Sequence, residues 1–568
     1  MNPKRDLACD VLIVGAGPVG MTLALELERF GIGCRIVDKS AAPTDKSKAL
    51  VVWPRTLELF DPSGVADDLI AAGFWAKGAT MYGDGKRLVH VEICRDDTAF
   101  PRPLMIPQNE TERVLNESLQ RRAVRLEREV ELVNVSEVHD GSVASTLRHS
   151  DGRKEIVISR WLAGCDGAHS TVRKQLGIPF AGEFEPNDWM LADVHVDGPI
   201  APDEISAYWH SQGVLIFFPM SPGRFRVIAD LGAAPTKDKP ADPTLDEVQR
   251  LVNARGPRGV RVHDPIWLSG FRIHERKVNE YQKGPAFLCG DAAHIHSPAG
   301  GQGMNTGMQD AFNLAWKLAQ VHRGRAKQAL LSTYTQERSA VGDMVLRDAG
   351  LFTRVAMIRN PVLQFIRNHM MALAGKLTAV QERAVAQLTE MAVHYPDSPL
   401  TADDPGAAWH GEVKSGDRLP DADLYDATGA GSVRLLKTIG GSQHTLLLVL
   451  DPQTDSQSRN STAELIDQAT RLAAEFDGLL RLVMVAPSEG HVPGSSATTT
   501  LIDRHGDLRG RLGVRGMAIA LVRPDGYIGF RGYSQSWSKL RAHLSSYLLP
   551  ITAGGASGAL DCRSPQMV

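Results

Sequence analysis

The 568 residues predict an α/β protein that carries an antiparallel α+β insert and a second, C-terminal α/β unit. Three observations carry that reading. An apolar strand near the start runs into a glycine-rich turn and a helix. Alternating strands punctuated by turns fill residues 186–269. Strand and helix patterns then alternate again beyond residue 411. A chain of this length has outgrown a single core, so two or three domains are expected.

Composition narrows the class. Hydrophobic residues make up 43% and charged residues 23%, both ordinary for a soluble globular protein. A net charge of -3 gives no electrostatic reason to expect nucleic acid or an anionic membrane as partner. Cys9, Cys34, Cys94, Cys165, Cys289 and Cys562 form no CxxC and no Cys/His cluster at zinc spacing. Neither a disulfide framework nor a metal is therefore expected, and a reducing cytoplasm fits. Apolar runs such as 445–450 fall far below the roughly 20 residues of a bilayer span, and no targeting segment is visible.

Asp10 to Ser40 reads as strand, helix, strand. Val11–Val14 is a continuous apolar strand; Leu23, Leu27 and Phe30 share a helical face; Cys34–Val37 is a second buried strand. Gly15, Gly17 and Gly20 form G-x-G-x-x-G at the first strand-to-helix turn, where a pyrophosphate can approach the backbone and face the helix N-terminus. Asp38 ends the second strand, where a carboxylate can hold ribose hydroxyls. With its strand, helix and acid in place the motif is strong, and Gly15, Gly17, Pro18, Gly20, Asp38 and Lys39 form the candidate nucleotide set. FAD and NAD share this fingerprint, so the motif alone leaves that choice open.

Two distant stretches add to it. In 160–178 an apolar strand ends at Asp166-Gly167, with a helix start at Ser170 and Arg173 one turn on. In 287–305, "FLCGDAAHIHSPAGGQGMN", another strand stops at Asp291 before a run of glycines and a helix. The three motifs, in this order, resemble those of the class A, single-component FAD-dependent aromatic hydroxylases. "QNETERVL" at 108–115 and the C-terminal extension resemble the phenol hydroxylase branch, which includes bacterial pentachlorophenol and nitrocatechol monooxygenases. The likeness covers about 8–390 by motif and the remainder by architecture.

The resemblance implies a Rossmann-like FAD-binding domain over 1–185 and 270–393, helical from 310. A substrate-binding β-sheet domain over 186–269, a linker at 394–410 and a thioredoxin-like domain over 411–551 would complete it. No cysteine lies between 290 and 561, so that last domain is read as redox-inactive; a mobile tail is expected from 552. Asp291 would bond the ribityl chain, and backbone amides at Gly301, Gly303, Met304 and Asn305 would face the isoalloxazine, where a helix N-terminus favours the anionic reduced ring. Arg55 and Gln108 match positions that contact the flavin or its phosphates. Asp166 matches an element credited with FAD and NAD(P)H contacts, with helix capping as its other reading.

For the substrate, Tyr208, His210, Phe218 and Met220 are candidates to line a cavity over the ring, and Pro298 joins them from the glycine loop. Ordinary core packing is the competing reading for each. Arg272, His274 and Arg276 fall on one strand face at period two, which approaches substrate or flavin in the resembled family. Leu50 stands where some phenol hydroxylases carry an acid, so the phenol base is unassigned. The implied reaction is hydroxylation of a substituted phenol, including chloro- or nitrophenols and catechols. NAD(P)H would reduce FAD, and O₂ would give a C4a-hydroperoxide that the ring carbon of a phenolate attacks. A flavin reductase or dehydrogenase on the same scaffold, and a non-catalytic FAD-binding protein, are the alternatives. A homodimer stays open.

Overall fold

The computed structural model describes residues 7–551 apart from 45, 84, 138–140, 235–238, 299, 430, 453–455 and 490–498; the tail from 552 lies outside the described residues. Strand β1 (Cys9–Val14) runs parallel between β2 (Cys34–Val37) and β3 (Lys154–Gly164), and strand Ala286–Leu288 continues the parallel order beyond β3. Their C-terminal stretches, Val11–Val14, Ile36–Val37, Trp161–Gly164 and Ala286–Leu288, are buried apolar runs, as strands covered by helices on both faces should be. Helix α1 (Pro18–Arg29) buries Leu23, Leu25 and Leu27 there, beside α2 (Gly303–His322). The register is what matters for function. Val14 pairs with Gly164 and Gly164 with Leu288, so all three motifs leave neighbouring strands at one edge. Open α/β sheets bind ligands outside that carboxyl edge.

A second sheet supplies the roof. Strands β4 (Ala181–Asp197), β5 (Glu204–His210), β6 (Gly213–Ser221), β7 (Arg224–Ala233) and β8 (Arg261–Lys277) lie in the order β8, β4, β7, β6, β5. The hairpin of Gly78–Gly83 and Lys86–Glu92 extends it, and His294–Ile295 pairs with its other edge. The sheet is thus wider than the 186–269 read from sequence, because a segment far upstream pairs into it. Its outer face packs on helix Leu245–Arg255 through Met190, Ala192, Tyr208, Phe217, Val227, Val248 and Val252. Its inner face turns Phe218 and Met220 toward Leu50, Val51, Trp53 and Met105.

Helices α3 (Thr333–Ala356), α4 (Pro361–Ala374) and α5 (Thr378–Leu388) follow, and Val385 and Leu388 of α5 join this inner apolar cluster. The C-terminal unit is an eight-stranded sheet centred on parallel His444–Val449 and Leu480–Ala486, with the hairpin Ala518–Val522/Ile528–Tyr533 turning at Pro524–Gly526. It does not stand apart. Leu446, Leu448 and Phe530 share one core with Phe312 and Trp316 of α2. Arg523 bonds Glu337 (2.5 Å) and Asp525, Lys317 bonds Glu337 (2.7 Å), and Trp316 donates to Asp525 (3.1 Å), all buried. The stretch 394–410, read as a linker, is built into this junction. Tyr395 accepts from Arg338, Ser398 donates to Glu337, and Ala402–Asp403 pairs with Ile528–Tyr533. Its Pro/Asp composition sets turns, and its few apolar and hydroxyl side chains provide the anchoring.

Candidate active site

The first glycine turn is shaped by contact. Gly15 has φ +105°, and a Cβ there would lie 2.3 Å from the Cys165 carbonyl; one on Gly20 would lie 1.9 Å from the Gly15 carbonyl. A Cβ on Gly17 would meet nothing within 4 Å, so the turn opens outward at that point. Asp38 braces it by accepting from the Ala16 and Ser40 amides, both at 2.7 Å. Lys39 is exposed and lines a polar crevice of about 460 Å³ with Glu129, Glu131, Arg148 and His149. That crevice adjoins Asp38 and not the Gly300–Asn305 edge.

At the D-G turn, Asp166 Oδ2 accepts from the Thr171 and Val172 amides (2.6 and 3.1 Å), the capping geometry its sequence allowed. Oδ1 is buried without a partner among the described residues, and burial pushes this carboxyl above the usual range. Arg173 has a larger role than the sequence indicated. It donates to Ala292 O (2.9 Å) and Ala168 O (2.8 Å), stapling the D-G turn to the G-D turn, with its guanidinium 3.9 Å from the Phe180 ring centre.

The G-D turn is held from beneath by α2. Asp310 accepts from Gly290 N and bonds His294 Nε2 (both 2.9 Å), and Arg338 donates to it at 2.6 Å. Asp291 has none of this. It is exposed and takes no hydrogen bond among the described residues, while surrounding protein raises its carboxyl despite the pull of His294 and Lys48. An acid that is open to solvent on one side and crowded on the others is one that lines a cleft. Beyond it Gly301 N donates to Pro298 O (2.9 Å), Gly300 and Gly301 have φ +91° and +63°, and a Cβ on Gly301 would strike Val51 at 2.5 Å. Trp53 Nε1 donates to Gly300 O (3.1 Å). The Asn305 side chain bonds Trp53 N and Val51 O (both 2.9 Å), tying strand Val51–Val52 to the start of α2. That leaves the first-turn amides of Gly303, Met304 and Asn305 with no side-chain cap. Helix N-termini without caps are ready anion sites.

Two acid–base groups here escaped the sequence reading. His296 donates Nδ1–H to Ser297 O (2.7 Å); its Nε2 is buried and unpartnered beside Gly303, and burial lowers its pKa to about 4. Glu390 is buried at φ +59°, bonded by Thr306 and Gln309 of α2, and burial raises its pKa to about 8. A side chain other than glycine at that φ is strained, which a polar partner must offset.

Several candidates sit elsewhere. Arg55 is buried against the C-terminal unit, bonding Glu58 (2.9 Å) and Asp525 O (2.6 Å) beneath Tyr527, so its guanidinium is already committed there. Gln108 braces the 47–49 loop, accepting from Ala49 N (3.1 Å) and donating to Glu112. Tyr208 is on the outer sheet face, stacked on Tyr82 at 4.7 Å, and His210 ends that strand at the hairpin turn, where Gln212 N donates to it. The one-residue alternation of β5 and β6 explains this: Phe217 shares the outer cluster with Tyr208, so Phe218 is the one that joins the inner apolar cluster. Arg272 pairs with Asp188 (2.7 Å) and His274 is exposed, while the alternate residue Lys277 bonds α3 at Ser339 and Asp343. Arg272, His274 and Arg276 therefore face away from α3, grouped with His169 beside the D-G turn. Pro298 is exposed on the glycine loop, where its carbonyl accepts from Gly301 N.

Residues 8–349 match the FAD binding domain family. The chain is 36% identical to 6-methylpretetramide 4-monooxygenase of Streptomyces rimosus, over 100% of this chain and 98% of that one. The chain belongs to the FAD-dependent aromatic monooxygenases. It is also 32% identical to pentachlorophenol 4-monooxygenase of Sphingobium chlorophenolicum, covering 93% of this chain and 95% of that protein. Among solved structures, the anhydrotetracycline hydroxylase OxyS of Streptomyces rimosus superposes with a TM-score of 0.73 at 28% identity, over 96% of this chain and all of that one. FAD is the cofactor of the aromatic monooxygenases, and the donor set above fits it. A glycine turn opens at Gly17, a free carboxylate follows at Asp291, and uncapped amides start α2, all along one sheet edge.

Proposed function

We propose that this monooxygenase hydroxylates a phenolic ring of a fused-ring aromatic compound, with NAD(P)H and O₂ as co-substrates. The observation that carries the reading is the apolar cluster of Leu50, Val51, Trp53, Met105, Phe218 and Met220 beside the Gly300–Gly303 turn, which in this reading walls the substrate chamber. In this reading the Gly15–Gly20 turn and Asp38 take the ADP half of FAD, and Asp291 accepts from the ribityl hydroxyls. The amides of Gly303, Met304 and Asn305 face the pyrimidine edge. Bound FAD supplies a two-electron store that a nicotinamide fills and O₂ draws on to oxygenate the substrate.

The chain's own groups do the rest. The apolar wall excludes water, which would otherwise divert the reduced state toward peroxide. The α2 N-terminus favours negative charge at the ring edge. Leu50 occupies the position on that wall where an acid could stand, and burial keeps the His296 imidazole neutral at neutral pH. The substrate must therefore ionise through its own acidity, which extended conjugation or electron-withdrawing substituents supply; an ordinary phenol has a pKa of about 10. Full-length similarity to an enzyme named for 6-methylpretetramide supports the fused-ring form, and similarity to pentachlorophenol 4-monooxygenase supports a halogenated single ring as the second reading. For the nicotinamide, the guanidinium groups of Arg173, Arg272 and Arg276 beside the D-G turn, with the His274 imidazole among them, suit a pyrophosphate bound transiently.

The test is NAD(P)H consumption by FAD-loaded enzyme across a panel of single-ring and fused-ring phenols, with products weighed by mass spectrometry. Consumption stimulated by a fused-ring phenol, with a product one oxygen heavier, supports the proposal. Stimulation by pentachlorophenol alone moves it to the second reading. Stoichiometric peroxide with every phenol would leave a reductase, and no stimulation at all a flavin-binding protein.

A further inference from the structure

The outer helical layer is built inside out. Helix α4 turns its polar residues toward the protein. Gln364 donates to Ile358 O (2.8 Å), and Arg367 donates to Val355 O and Ala356 O (3.2 and 3.1 Å) with its guanidinium 4.7 Å from the Trp209 ring centre. Its apolar residues face out: Val362, Leu363, Phe365, Ile366, Met370 and Leu373 are 46–67% exposed. Leu351 and Phe352 at the end of α3, and Leu377 and Val380 around the start of α5, extend the same region. Ten of the sixteen large hydrophobic residues exposed among the described residues thus fall within 351–380. Rolling α4 over would hide this face only by stripping the bonds that Arg367 makes to the last carbonyls of α3. Monomeric proteins rarely present so large an apolar patch.

The pattern says what covers it. Leu363, Ile366, Met370 and Leu373 recur at 3-4-3 spacing, the seam of a helix that packs on another helix. At roughly 170 Å² per large side chain, the ten together expose on the order of 900 Å², close to the ~800 Å² each partner contributes to a standard interface. We propose that this face is a self-association surface, on which α4 packs antiparallel against α4 of a second copy across a two-fold axis near Ile366 and Met370. Opposed helix dipoles favour that direction, and a two-fold contact buries the same patch on both copies. The rim cations Arg354, Lys376 and Arg383, against the acid Glu382, stay in solvent, where such charges contribute little. Because α5 follows α4 and lends Val385 and Leu388 to the chamber, pairing would also steady the chamber wall.

Sedimentation of the FAD-loaded full chain tests this directly. The wild type should have twice the monomer mass, and Leu363→Glu/Ile366→Glu/Leu373→Glu should halve it while FAD stays bound. Should that variant fail to fold, Met370→Cys in a Cys94→Ser/Cys562→Ser background should cross-link between copies with a short bismaleimide, whereas Ile156→Cys on the remote sheet should not. A wild type that sediments as a monomer, or a dimer that survives the three glutamates, overturns the proposal. Monomeric wild type that partitions onto phosphatidylglycerol vesicles would overturn it too, showing the patch to be a lipid surface.

Discussion

Asp291 and Asp310 flank the same glycine loop and live opposite lives. Burial alone would raise the Asp310 carboxyl, but Arg338 and His294 outweigh it and hold the group below its ordinary range; Gly290 N donates a third bond to it. Asp291 is raised by the surrounding protein and has no bonded partner among the described residues. The difference separates scaffold from site. A carboxylate whose hydrogen bonds are all made inside the protein is holding the loop in shape, and one left open is waiting for a ligand's hydroxyls.

The largest effect should come from breaking the scaffold member. Arg338→Leu leaves Asp310 buried without its main counter-charge, a change that costs about 3–5 kcal/mol. Urea denaturation of the FAD-free chain should show that loss in full, since it does not depend on the cofactor. If stability fell only in the FAD-loaded protein, Asp310 would belong to the site and the contrast would fail.

Asp291→Ala should do the reverse. Hydrogen bonds to a charged group contribute about 1.5–3 kcal/mol, so FAD affinity should fall roughly 10–100-fold. The urea midpoint of the FAD-free chain should hold or rise, because an unpaired carboxyl in a crowded cleft is removed. Fluorescence titration with FAD reads the first quantity; unchanged affinity would show that Asp291 does not touch the cofactor.

That contrast also marks how far the sequence can be read. The first glycine turn was legible because strand, glycines, helix and acid are contiguous, so local pattern and tertiary role coincide. The G-D loop was legible as a motif, yet which of its acids faces a ligand depends on Arg338, a partner 47 residues beyond Asp291 that no local pattern announces. Arg55 shows the same limit from the other side. Its motif pointed to the cofactor, but the C-terminal hairpin at Asp525 claims its guanidinium, across 470 residues. Glu390 was invisible, since its significance lies in a positive φ and in two partners on α2.

Glu390 sharpens the comparison by pH. Its folded pKa of about 8 lies above the ordinary glutamate value of 4.5, so its contribution to stability is complete below about pH 4.5 and is lost as pH rises toward 8. Over that window the native state should lose up to about 1.4 kcal/mol per pH unit from this group. Asp310 runs the other way: its depressed pKa gives stability present at neutral pH and lost as acid protonates it. Glu390→Gln, which mimics the neutral acid, should flatten the slope between about pH 4.5 and 8 and leave the more acidic limb set by Asp310 intact. A slope unchanged by that substitution would mean that Glu390 is ionised at neutral pH and that its strained backbone serves another purpose.

The smallest effect should be at Tyr208, and it discriminates between the two faces of the roof. Burial pushes its hydroxyl up to about 12, and its ring is stacked within 7° of parallel on Tyr82, on the face that packs against helix Leu245–Arg255. A phenol so placed has no route to relay a proton into the chamber. Tyr208→Phe should keep kcat and KM within about twofold, at under ~1 kcal/mol of stability, whereas Phe218→Ala, one alternation away on the neighbouring strand, should raise KM for the aromatic substrate without weakening FAD. If Tyr208→Phe instead lowered kcat and shifted the pH profile, the inner and outer faces would have been assigned the wrong way round, and the apolar chamber would not be where oxygen meets the ring.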